Sequence, residues 1–246
     1  MSTVLSSTDI IREKLRGKII IEPYEERNLS NCSYDITLGK TYFNNCGSSF
    51  EGWLNPWRKG DTSEYWGKPK EADEVVDEWE AEKSGLPIGT KYILLKPRGS
   101  ILGHSNEFIG GVENITTILH ARSTIGRSEI TICQCAGQGD VGFINRWTLE
   151  IRNQSDVHIV LPIGIRIGQI MFFYSTKPVK PYEGKYQKSK NLRELMNGWK
   201  PEDMLPKAYL DFDIPQPKPL EESWQKLIDS ETERPKRNRI EINYPT

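Results

Sequence analysis

Two carboxylates ten positions apart, Asp140 and Glu150, stand in unlike settings within the stretch CQCAGQGDVGFINRWTLEIRN. Asp140 sits among Gly137, Gly139 and Gly142, in a turn that lets a ligand approach the backbone. Glu150 lies between Leu149 and Ile151 in a strongly β-forming run. Side chains alternate faces along a strand, so Glu150 is either a solvent-facing charge or a desolvated general base able to take a proton from water. A second stretch, HARSTIGRSEI, sets Arg122 and Arg127 around Ser123 and Thr124, with Gly126 in the turn. Guanidinium forks, hydroxyls and turn amides are all donors, so the segment outlines a cradle for phosphate oxygens. The plainer reading is a hairpin corner with solvated arginines. No G-x-x-x-x-G-K-S/T loop occurs.

These residues need a scaffold, and the pattern around them is β. Residues 7–17 predict a short helix, with Ser and Thr cap candidates before Asp9, apolar Ile10, Ile11 and Leu15 at helical spacing, and Gly17 at the end. KIIIEPY is a β-branched run closed by Pro23, and residues 33–38 alternate as a half-buried strand does. From Lys91 to Tyr174, KYILLKP, ITTILHA, EITICQC, RWTLEIRN, VHIVLP and RIGQIMFFY recur between turn signals. Short strands at such spacing predict a barrel or jelly roll, and the lack of intervening helices argues against a parallel βαβ sheet. Residues 44–89 lose the alternation and read as an insertion, whose Trp53, Trp57, Trp66 and Trp79 are expected to form a small satellite core, with a partner surface the alternative. NLRELMNGW reads as helical, and beyond it the chain turns rich in proline and charge, as a peripheral extension would.

The 246 residues carry a formal net charge of -1, with 36% hydrophobic and 27% charged residues, values of an ordinary globular protein. No basic excess points to nucleic acid. The first residues lack the apolar core of a signal peptide and no apolar run reaches membrane-spanning length, so a cytoplasmic location without membrane association is expected. Four cysteines are too few for a disulfide framework, and free thiols are expected. Cys133 and Cys135 form C-x-C, and His104, His120 and His158 are scattered, so no protein-held metal is expected. The H-x-E and P-C-x-x-C elements of the zinc-dependent base deaminases are missing from the sequence.

Five motifs in order carry a resemblance: SYDITLG (33–39), ARSTIGR (121–127), AGQGDVGFINRWTLEI (136–151), RIGQIMFF (166–173) and YEGKYQ (182–187). Together they resemble the dCTP deaminases, over most of residues 9–190. The resemblance implies a mainly β fold, a distorted barrel of the dUTPase type with a short N-terminal helix. Residues 1–190 would form the nucleotide-binding β domain with its insertion at 44–89, and residues 191–246 a C-terminal extension. It also implies a homotrimer or hexamer with active sites between subunits, and magnesium arriving with the triphosphate.

By the same resemblance Glu150 is the general base for water attacking C4 of cytosine, releasing ammonia and leaving dUTP. Ser123 and Arg127 hold that water and stabilise developing charge. Asp140 accepts the 3′-hydroxyl, Phe143 packs on the sugar, Tyr182 covers the sugar and base, and Ala136 contacts the substrate. Arg122, Thr124, Lys185 and Gln187 meet the phosphates. Family members usually carry Ser at the position of Thr124 and a bulky apolar residue at that of Gly139, which predicts a looser loop here. The Ala136-Gly137 pair resembles bifunctional deaminase–dUTPases more than strict deaminases. The alternatives are therefore a bifunctional enzyme or a dUTPase releasing dUMP and pyrophosphate, and, in another class, a nucleotide-binding regulator without turnover.

Overall fold

The computed structural model describes residues 4–211 except 177 and 179. Helix α1 (Ser7–Leu15) starts with a capping box, the Asp9 N–H donating to Ser6 Oγ at 3.3 Å and the Ser6 N–H to Asp9 Oδ2 at 3.2 Å. Strands β1 (Ile19–Glu22), β2 (Tyr34–Thr37) and β3 (Thr41–Asn44) follow. Residues 44–89 then hold α2 (Lys59–Trp66), the short strands β4 (Lys70–Glu71) and β5 (Asp73–Glu74), and α3 (Glu78–Ser84). The expected tryptophan core is not there. Trp66 packs against Phe43, Leu102 and Met204, but Trp53, Trp57 and Trp79 are exposed. Trp53 and Trp57 lie ahead of α2 outside any helix or strand, and α3, which carries Trp79, is too short for an apolar stripe and buries no residue.

The rest is antiparallel sheet: β6 (Lys91–Leu95), β7 (Ser100–Gly111), β8 (Ile115–Ala121), then α4 (Ser123–Arg127), β9 (Ile130–Thr131), β10 (Gln138–Gly139), β11 (Ile144–Asn153), β12 (Ile159–Pro162) and β13 (Arg166–Tyr174). Among the described residues three sheets form, ordered β4-β3-β7-β11-β9 with β1 also on β7, β10-β8-β13-β2, and β12-β6-β5. One apolar cluster draws on all three, through Leu149 and Ile151, Leu119 and Phe172, and Ile93 and Leu161. This is the mainly β, antiparallel architecture that the strand pattern predicts. The EITICQC run contributes only β9, because Gln134 and Cys135 take positive φ of 22° and 73° and turn the chain out of the sheet.

The central strand, β7, has no alternation to read. Nearly every residue is buried, including His104, Ser105 and Glu107. The Glu107 carboxylate accepts from the Thr37 N–H at 2.9 Å and the Thr37 hydroxyl at 2.7 Å, locking β2 to β7. Gly39 follows from the same packing: a Cβ there would stand 1.9 Å from the His104 ring. Between β7 and β11 the register shifts at Arg146 and Thr148, and the Trp147 N–H freed by that bulge donates to Ser105 Oγ at 2.8 Å.

Helix α5 (Leu192–Gly198) is capped by Asn191, whose side chain accepts from the Glu194 N–H at 3.2 Å. Leu195 packs on Phe108 and Ile144, so the chain through residue 211 covers the β7–β11 sheet. Residues 212–246, the remainder of the extension read from the sequence, lie outside the described residues. No helix among the described residues is long and apolar enough to cross a membrane.

Candidate functional site

Along β11 the residues Trp147, Leu149 and Ile151 enter the core, which turns Arg146, Thr148 and Glu150 to the opposite face. That face is covered. All three line a cavity of about 490 Å³ whose walls include Ala136, Asp140, Phe143, Tyr182 and Trp199. Of the two readings of Glu150, the buried one describes the fold. Burial pushes its carboxyl up from 4.5 to about 7, and Oε2 is enclosed without a hydrogen-bond partner among the described residues. A carboxylate so placed holds or gives up a proton near neutrality, and the residue lines the space a ligand would fill.

The glycine-rich loop forms the rim. Gly139 is buried in β10, and a Cβ there would stand 2.3 Å from Thr117 Oγ1 and 2.6 Å from the Trp147 ring. The loop is therefore tight where a looser one was expected, because Trp147 occupies the volume that a larger side chain would need. Asp140 stands exposed at the turn, its Oδ1 accepting from Gln138 Nε2 at 3.3 Å. Phe143 lies edge-on to Trp147, with ring centroids 5.6 Å apart, and edge-on to Tyr182 at 5.5 Å. The Tyr182 N–H donates to the Val141 carbonyl at 2.8 Å, which fastens the YEGKYQ segment across the loop.

Five of the residues singled out from the sequence thus converge on one cavity: Glu150, Ala136, Asp140, Phe143 and Tyr182. The others do not line it in this chain. Ser123, Thr124 and Arg127 are exposed on α4. Arg122 is paired with buried Asp35 at 3.1 Å, which Arg166 also meets at 3.3 Å. Lys185 pairs with Asp211. The Gln187 amide accepts from the Ile144 N–H at 3.1 Å and donates to the Ser189 carbonyl at 2.6 Å, so it brackets the segment onto β11.

Arg146 was missed, although its place two residues before Thr148 and four before Glu150 was readable. Its guanidinium lies between the rings of Phe108 (5.2 Å) and Trp199 (4.8 Å), and its Nε is buried without a partner among the described residues. Trp199, Asp203, Met204 and Pro206 close the cavity from beyond α5. Nothing local in their sequence marks them as a wall. Among the described residues no group of three or more His, Cys, Asp or Glu side chains is placed to hold a metal ion.

Known proteins resemble this chain in sequence and in fold. Residues 57–175 match the family model described as dCTP deaminase-like, a match that begins inside the segment read as an insertion. A dUMP-forming dCTP deaminase of Coprothermobacter proteolyticus is 31% identical over 190 residues, 75% of this chain and 91% of that protein. The dUMP-forming dCTP deaminase of Methanobrevibacter smithii is 28% identical over 213 residues, 86% of this chain and 98% of that protein. The crystal structure of 2′-deoxycytidine 5′-triphosphate deaminase from Agrobacterium tumefaciens aligns with a TM-score of 0.50 at 16% identity, over 71% of this chain and 49% of that one, a likeness of fold. With the ordered motifs, the cavity and relatives matched over most of their length, this chain belongs to the dCTP deaminase-like family.

Proposed function

We propose that this chain removes the amino group of dCTP by hydrolysis and carries the product through to dUMP, with Glu150 as general base. The observation that carries the reading is the buried Glu150 carboxyl lining the cavity, its Oε2 without a hydrogen-bond partner among the described residues and the group poised at about 7. Its oxygen takes a proton from water, and the hydroxide adds to C4 of cytosine. The same proton then passes to the departing nitrogen, the C4–N bond breaks and ammonia leaves. Raising the carboxyl toward neutrality serves both halves of the cycle, since the group must accept a proton and then return it.

The sugar would lie against Phe143 and Tyr182, with Asp140 accepting the 3′-hydroxyl. In the second step water attacks the α-phosphorus and pyrophosphate departs, with Asp140 the carboxylate at the exposed rim. Two observations favour dUMP over dUTP as the final product: relatives at 31% and 28% identity are dUMP-forming, and this chain carries the Ala136-Gly137 pair. Magnesium would enter held by the triphosphate oxygens, because the described residues offer no cluster of their own to hold it. Ser123 and Arg127, exposed on α4, would complete the cavity of a neighbouring subunit, which makes the active species a trimer or a multiple of it.

Product analysis with dCTP and magnesium tests the reading. Ammonia, dUMP and pyrophosphate in equal amounts are expected. Accumulated dUTP would limit the enzyme to deamination, and pyrophosphate released from dUTP with no ammonia from dCTP would make it a dUTPase.

A further inference from the structure

Two lysines flank Tyr186 at the rim of the cavity, and a third, Lys188, shares the Asp203 carboxylate with one of them, Lys207. Lys185 Nζ lies 5.8 Å and Lys207 Nζ 5.0 Å from the tyrosine ring centroid. The Lys207 N–H donates to the Tyr186 hydroxyl at 3.1 Å and its ammonium to the Lys185 carbonyl at 3.3 Å. Lys188 joins them: burial lowers the Lys207 ammonium first, the Asp203 carboxylate opposes that, and the like charges of Lys188 and Lys185 lower it further.

Two carboxylates answer these charges, in different ways. Asp203 is largely buried and anchored, its Oδ1 2.5 Å from Lys188 Nζ and its Oδ2 accepting from the Lys200 N–H at 3.0 Å. Asp211 is 58% exposed, held near the site by Lys185. Three cations meet two anions, one fixed and one easily withdrawn.

We propose that Lys185, Lys188 and Lys207 form the oligophosphate site of this protein, and that Asp211 is its internal occupant, displaced when a triphosphate arrives. Lys188 and Lys207 add to the Lys185 contact implied by the resemblance, and Lys207 comes from beyond its motifs. With Asp211 withdrawn, the cluster offers two uncompensated positive charges beside Tyr186 and Asp203, which line the cavity holding Glu150. An oligophosphate suits it because successive phosphates can meet several ammonium groups at once, whereas one phosphate meets too few to outcompete a tethered carboxylate.

The inference rests on the triphosphate reading above, and binding of inorganic tripolyphosphate to the full chain separates the two. Asp211→Asn should tighten calorimetric binding by about twofold to fivefold, the size of an exposed ion pair. Lys207→Gln should weaken it by roughly tenfold, with Lys207→Arg restoring most of the loss. Unchanged or weaker binding in Asp211→Asn, or unchanged binding in Lys207→Gln, overturns the proposal. Thermal melts accompany each variant; if Lys207→Gln is unfolded at the assay temperature, Lys188→Gln replaces it, with weakened binding expected and unchanged binding overturning. Tripolyphosphate binding with this pattern but no ammonia from dCTP would sink the proposed reaction alone, and deamination without the pattern would sink this site alone.

Discussion

Phe143 stands perpendicular to Tyr182, the ring planes at 86° and the centroids 5.5 Å apart, so the aromatic wall of the cavity is built from two segments that meet across the Asp140 loop. The wall is fixed on its other side by Trp147. A sugar packed on so constrained a face has little room for a 2′-hydroxyl, and burying that hydroxyl without a partner costs about 1–3 kcal/mol. Phe143→Ala should therefore narrow the preference for dCTP over CTP by roughly tenfold or more, read as the ratio of kcat/KM values. Equal use of CTP and dCTP by the wild type would refute this sugar gate.

Glu150 makes the fold less stable than it needs to be. Its carboxyl titrates at about 7 in the fold against 4.5 ordinarily, so the folded state keeps a proton that the unfolded chain releases. The associated stability is whole below about pH 4.5 and is lost as the pH rises through 7. Glu150→Gln should thus raise the stability measured in urea at pH 8, by up to about 3 kcal/mol, and should gain little at pH 4. A variant less stable than the wild type at pH 8 would contradict the desolvated carboxyl.

His104 acts in the opposite direction. Burial lowers it from 6.5 to about 4, its Nε2 has no partner among the described residues, and its Nδ1 lies 2.8 Å from the Ser105 carbonyl. The unfolded chain takes up the proton first, so this contribution is whole above pH 6.5 and is lost as the pH falls toward 4. On the order of 3 kcal/mol should disappear over that window. Because Glu150 gains about as much over the same window, denaturant melts of Glu150→Gln from pH 7 to pH 4 check it, and a flat profile in that variant would count against the buried neutral ring.

Shared sites would be revealed by mixing subunits. Glu150→Gln and Arg127→Ala proteins, each inactive alone, should regain roughly a quarter of wild-type activity after co-refolding in equal amounts, since random assembly unites the intact halves at that frequency. No recovery would mean that each chain owns its whole site.

Much of this was legible in the sequence where local chemistry and local geometry agree. The capping box at Ser6 and Asp9, the alternation of 147, 149 and 151, and the glycines around Asp140 each state their structure within a few residues. β7 did not, because a strand buried on both faces has no period, and its polar residues are satisfied by partners such as Thr37 that lie far away in sequence. Trp199 and Asp203 were equally silent, since a wall formed by a returning segment is a tertiary fact. The exposed position of Ser123 and Arg127 follows from neither helix nor strand pattern, only from where α4 ends up relative to β11.

If the buried carboxyl of Glu150 performs the deamination, ammonia release from dCTP registers its loss at once. Wild-type protein should release one ammonia per dCTP consumed, with kcat/KM falling as the pH drops below about 7, where the carboxyl gains its proton. Glu150→Gln should reduce that release by at least roughly a hundredfold to ten-thousandfold while dCTP binding, followed by calorimetry, stays within about tenfold. Ammonia released by the variant at the wild-type rate would remove Glu150 from the role of base.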